Sequence, residues 1–199
     1  MYRYFSMTYM LLSLKKNKHL IMVFLMIAIF PFYDCLGFNI NSQSTLRDPK
    51  KVVESFCNLD YRGYRLSGES IKKIFPLVSW QDESSEIIII IKKYKVGNAS
   101  LKNSMALVPV DFYVLGSTDF TSFKRDIHMK RRIEYKLTKS KNEWKIKEPI
   151  TAPHVYWENA INHLKLLQKS EPERRNQIQD IIDNIMKAIN ISNKLNKEN

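Results

Sequence analysis

From Ala106 to Ile146 the apolar side chains keep falling on every second position. Ala106, Val108, Val110, Phe112 and Val114 hold one phase. Ile127, Met129, Ile133, Tyr135 and Leu137 hold it again, interrupted at Arg131, and Trp144 and Ile146 repeat the step after a short turn. A period of two means strands with one face on a core and the other toward water. A helix turns about 100° per residue and would scatter these side chains around its axis.

An earlier run, Glu86 to Val96, contains five consecutive isoleucines, Ile87 to Ile91. It does not alternate, so both of its faces need a cover. The first helix is one candidate cover, and a C-terminal helix or a partner subunit is the other. Together the runs predict an α+β fold with a curved antiparallel sheet of about four strands wrapped on an N-terminal helix, with an added C-terminal helix pair. Pro109 cannot donate to a ladder, which predicts an edge position or a bulge there.

The helix signals flank the strands. Asp48 is a good N-cap and Pro49 suits the first helical position. Val52, Val53, Phe56, Cys57 and Leu59 then form an apolar stripe, and Gly63 marks a stop. A second short helix is expected from Ser67, carrying Ile71, Ile74 and Phe75 and ended by Pro76. Near the C-terminus "PITAPHV" breaks the chain, and Trp157, Ala160, Ile161 and Leu164 make a helical stripe. Ser170 with Glu173 reads as a capping box for the last helix, whose apolar residues run from Ile178 to Ile189.

Residues 1–37 read as a signal peptide or a membrane anchor. Lys15, Lys16 and Lys18 precede an apolar run, Leu20 to Phe32, which is short for a span of about 20 residues. Cleavage after Gly37 gives an exported protein of the periplasm or cell envelope; retention gives one anchored through residues 20–32. Either way Cys57 has no partner for an internal disulfide within the domain, and its place on the apolar stripe points to packing. The remaining divisions are a linker at 38–47, the α+β domain at 48–150, helices at 151–191 and a polar tail at 192–199.

The chain has 199 residues and a net charge of +12. A basic balance raises a nucleic-acid partner, but no motif of interleaved aromatic and basic residues accompanies it, which argues against one. Lys124, Arg125, Lys130, Arg131 and Arg132 form a basic face suited to a membrane surface or a polyanion. No metal is expected: the four histidines are scattered and no pair has ligand spacing. No cofactor is expected either, since no glycine-rich phosphate loop or nucleophile elbow is present. An acid–base enzyme would need a carboxylate in an apolar pocket with a donor nearby. The candidates are Asp60, at the end of the first helix, and Asp111 with Tyr113, two apart on one strand. His128 and His154 are weaker, and His163 falls on a helix surface.

The segments "DPKKVVESFCNLDYRGY", "ALVPVDFYVLG" and "IEYKLTKSKNEWKIKEP" carry a resemblance. A capped helix, a short helix and a meander closed by a Trp-containing strand resemble the NTF2-like, cystatin-like α+β cone proteins, here as an exported bacterial branch. The likeness covers roughly Asp48 to Pro149. It implies a curved sheet around the long helix, leaving a conical pocket in which Phe56, Tyr61 and Trp80 would meet a small apolar ligand. The family includes isomerases and lyases, as well as binding and assembly domains without activity, so fold alone does not choose between them. The expectation is a non-enzymatic domain that binds a small apolar ligand or a protein partner, with a homodimer as one way to cover an apolar face. The alternatives are a pocket enzyme using an Asp base and a tethered envelope component using the basic face.

Overall fold

The computed structural model describes residues 43–81, 85–126 and 130–195. The expected signal peptide or anchor, the first half of the linker, and His128 lie outside them. The described chain is α+β, a strongly curled mixed sheet closed on one side by a single helix and on the other by two.

After one helical turn, Gln43–Leu46, helix α1 spans Pro49–Tyr61. The Asp48 carboxylate accepts the backbone N–H groups of Lys50 at 2.9 Å and Lys51 at 3.4 Å, which satisfies two donors that a helix start leaves open. Gly63 ends the segment at φ 78, a left-handed conformation that favours glycine. Val52, Val53, Phe56, Cys57 and Leu59 are all buried against the sheet.

The strands are β1 (Ile88–Val96), β2 (Ser100–Lys102), β3 (Met105–Thr118), β4 (Phe123–Arg125), β5 (Lys130–Ser140), β6 (Glu143–Glu148) and β7 (His154–Tyr156). Their order is β6-β5-β3-β1-β7, with β2 and β4 also paired to β3. The expected four-strand antiparallel sheet is therefore corrected to seven strands, with β7 parallel to β1. The reason is the length of β3. It outruns β1, and the short β2 and β4 pair with its two ends. The parallel strand follows the proline-containing breaker and takes only three residues of β1, from Ile89 to Ile91.

Pro109 sits in the central strand, not at an edge. Val96 pairs with Val110, and Ser100 pairs with Leu107. Pro109 thus faces the gap between β1 and β2, where Gly97 N–H donates to its carbonyl at 2.7 Å. Its missing N–H would have pointed into the same gap, where the chain is turning.

The isoleucine strand has two covers. Ordinary strand alternation turns Ile88 and Ile90 to one side and Ile89 and Ile91 to the other. Ile91 joins the core on α1, which includes Val108, Val110, Phe112, Tyr135, Leu137 and Ile146. Ile88 and Ile90 join a second core with Leu115 and Val155, under α2 (Trp157–Ser170) and α3 (Arg175–Leu195). Ile87 precedes the strand and stays 47% exposed. The last helix buries Ile178, Ile181, Ile182, Ile185 and Ile189 here, so its apolar face is covered within the chain.

Two local expectations are corrected. The helix expected from Ser67 is instead a pair of 3-10 turns, Ser70–Lys73 and Phe75–Leu77, which bury Ile74 and Leu77. Ser170 does not cap the last helix. It ends α2, and its hydroxyl donates back to the carbonyls of Leu166 and Leu167 at 3.3 and 3.2 Å. A turn at Pro172–Arg174 then leads into α3.

Candidate functional site

Helix α1 delivers Asp60 to the inner side of the sheet, where it is buried. One carboxylate oxygen accepts the backbone N–H of His154 at 2.8 Å. The same oxygen lies 3.5 Å from Nη1 of Arg65, and both side chains are 2% exposed. Arg65 comes from the turn Tyr64–Leu66, just past Gly63, and donates from Nη2 to the Thr151 carbonyl at 2.8 Å. Its guanidinium also lies over the rings of Phe56 and Trp80, at 5.9 and 5.6 Å. The His154 ring stacks on Phe112 with centroids 4.2 Å apart.

Burial sets the protonation states here. The His154 pKa is pushed down to about 4, first by burial and then by the positive charges of Arg65 and Arg131, against a contact to the Ala152 backbone. Burial and the charges of Asp60 and Glu54 push the Cys57 thiol up, so it stays protonated and packs as an apolar group. Burial also raises the Tyr135 phenol.

Phe56 fills the middle of this interior. It makes edge contacts with Tyr135 at 5.6 Å and with Trp80 at 6.2 Å. Trp80 is half-buried and lines a shallow hollow of about 470 Å³ with Phe75, Val78 and Lys145. Tyr61 stacks on Tyr156 at 4.7 Å and meets Tyr94 edge-on at 5.5 Å. The three aromatic residues implied by the resemblance therefore occupy three different settings, and Phe56 and Tyr61 are engaged by other aromatic rings.

Asp111 and Tyr113 do share a face, and it is the outer one. The Asp111 carboxylate takes a forked contact from Arg132, with Nε at 2.8 Å and Nη2 at 3.2 Å, and lies 3.3 Å from Lys130 Nζ. The Arg132 hydrogen bonds, with Lys130 assisting, hold its carboxyl below the usual range. Lys93 Nζ lies 4.5 Å from the centre of the Tyr113 ring. This is the geometry of a surface ion pair, with the apolar residues Val110 and Phe112 on the other side of the strand.

The five basic residues named from sequence separate. Lys130 and Arg132 face outward on β5. Arg131 pairs opposite Phe112, on the inner side, and forms an ion pair with Asp126. Lys124 and Arg125 lie on β4.

A larger opening than the hollow at Trp80 lies elsewhere. It is a cleft of about 700 Å³ between the turn at Arg65–Leu66, the loop after β3 and the α2–α3 connection. Leu66, Phe120 and Leu167 supply apolar lining, and Arg65 reaches it from the buried Asp60 network. His163, set on α2, meets Phe120 edge-on at 6.0 Å, and burial lowers its pKa so that it is neutral at physiological pH.

Hydrogen bonds fix the rim of this cleft. Asp119 accepts the N–H groups of Thr121 at 3.0 Å and Ser122 at 2.9 Å. Arg174 donates to the Phe120 carbonyl and pairs with Glu171 at 2.6 Å. Gln177 donates to the Thr121 carbonyl at 3.2 Å.

Sequence reasoning missed Arg65 and Leu167, and it read His163 as surface. Arg65 carried one legible hint, a charge between Tyr64 and Leu66. Its carboxylate partner is five positions back across a glycine turn, a spacing with no helical or strand meaning. Among the described residues no group of His, Cys, Asp or Glu is placed to hold a metal ion, and no helix is long and apolar enough to cross a membrane. No family model, no curated protein and no solved structure matches the chain.

Proposed function

We propose that the chain is an exported, non-enzymatic binding domain of the NTF2-like type, and that its ligand is a small, largely apolar molecule held in the cleft of Leu66, Phe120 and Leu167. The observation that carries this reading is the contrast between two places. The cleft is open, takes apolar lining from Leu66, Phe120 and Leu167 between polar and charged side chains, and has a hydrogen-bonded rim. Asp60, the carboxylate an acid–base mechanism would want, is closed in by the His154 N–H and by Arg65. A ligand site of this kind uses a few polar groups to orient an apolar body, and the neutral His163 suits that role.

Titration of the full chain with anilinonaphthalene sulfonate tests the site. Saturable fluorescence enhancement is expected from the wild type, and Leu167→Trp, which fills the cleft, should abolish it while leaving the near-ultraviolet circular dichroism intact. Equal enhancement in a folded Leu167→Trp variant would overturn the reading. Mass spectrometry of the purified chain, native against denatured, then identifies any molecule retained from the host.

A further inference from the structure

The outer face of the sheet carries a cluster of positive charges across three neighbouring strands, with Asp111 and Glu134 among them. Lys93 on β1, Tyr113 on β3 and Lys130 on β5 are directly opposite one another, and Lys95, Asp111 and Arg132 form the next row. Farther along β5 the excess ends: Glu134 stands opposite Pro109, and Lys136, opposite Leu107, is paired with Glu148 at 3.3 Å. Helices α2 and α3 cover the end of the sheet that carries Ile88, Ile90 and Leu115, and leave these rows open. Asp111 is 13% exposed beneath its partners, while Lys130 and Arg132 remain 53% and 67% exposed. The carboxylate thus steadies two cations that still present their charge to solvent.

We propose that this face docks on an anionic lipid surface. The charge is complementary, and the shape selects the partner. The helix α1 fills the concave side of the curled sheet, so the basic side is the convex one. A single nucleic-acid strand is held in a groove with aromatic platforms for its bases. Here the aromatic residue of the face, Tyr113, already has Lys93 over its ring. A polybasic face needs no groove to meet a bilayer.

The chain also carries a second membrane-directed feature in its sequence. Lys15, Lys16 and Lys18 stand before the 13 apolar residues Leu20 to Phe32. One weak signal gives reversible attachment, and two together give a stable one. This inference does not depend on what the cleft binds.

Vesicle sedimentation of the full chain tests it, with phosphatidylcholine vesicles compared with vesicles that also contain phosphatidylglycerol. The wild type should prefer the anionic vesicles, and salt should weaken that preference. K93Q/K95Q/K130Q keeps the Asp111–Arg132 fork and should lower the partition onto anionic vesicles by roughly one to two orders of magnitude. A control with the same charge change elsewhere, K51Q/K72Q/K169Q, should lose much less. Should the first triple variant fail to fold, K93Q/K95Q alone is read the same way, with roughly one order of magnitude expected. Wild-type binding without anionic preference, equal losses in the two sets of variants, or displacement from vesicles by a single-stranded oligonucleotide would each overturn the proposal.

Discussion

Asp60 and His154 stand 94 positions apart in the chain, and the carboxylate of one accepts the backbone N–H of the other at 2.8 Å inside the core. This bond ties the end of α1 to the short parallel strand β7. A three-residue strand has few ladder bonds of its own, so a buried charged acceptor holds much of its position. Asp60→Ala removes the acceptor and leaves Arg65 without its carboxylate. The expected loss is roughly 3–5 kcal/mol in a urea titration. Asp60→Leu combined with Arg65→Met should recover part of it, because the buried pair is then replaced by apolar volume.

His154 makes stability depend on pH. Its folded pKa, about 4, lies below the ordinary value of 6.5. The unfolded chain therefore binds the proton first as pH falls, and stability declines from about pH 6.5 down to about pH 4. The loss across that window is on the order of 3 kcal/mol. His154→Phe keeps an aromatic ring against Phe112 and should flatten this limb of the melting-temperature profile. An unchanged acid limb would assign the dependence to other groups.

Phe56 is 1% exposed and touches both Tyr135 and Trp80. Phe56→Ala should cost roughly 3–5 kcal/mol by removing apolar contacts and leaving a cavity. Thermal melts and urea titrations of the variant give the value, and an unchanged midpoint would contradict the packing.

Gly116 is required where β3 and β4 pair. A side chain there would run into the Lys124 carbonyl and the Phe123 ring. Gly116→Ala should destabilise by roughly 1–3 kcal/mol and loosen β4, seen as faster amide exchange at Lys124 and Arg125.

The legible parts of the fold were those written in local chemistry. Asp48 and Pro49 announced α1, and the capped helix begins where they place it. The alternation from Ala106 to Val114 and the step at Trp144 and Ile146 announced β3 and β6. The uninterrupted isoleucines asked for two covers, and the two cores provide them.

What stayed hidden depends on distant partners. The strand at His154 is three residues long and pairs with β1 across more than sixty positions, so no period marks it. Arg131 interrupts the apolar phase and reads as part of the basic face, yet it stands opposite Phe112 and is half exposed, and its Asp126 partner appears only once the chain folds. The cleft was least legible. Its lining comes from the turn after α1, the loop after β3 and α2, segments with no common sequence signature.

The isoleucine strand is a wall with a room on each side, and the rooms are completed at different times. During synthesis the residues of the first, Leu46 to Ile146, leave the ribosome before those of α2 and α3. At about 5–20 residues per second, the roughly forty residues from Ile146 to Ile189 take about 2–8 seconds. Through that interval Ile88, Ile90 and Leu115 face solvent on a sheet otherwise ready to close. The last stretch of the chain therefore acts as the sheet's own delayed chaperone, and a stop codon ahead of Ile178 would release a protein with its first core made and its second one covered by α2 alone.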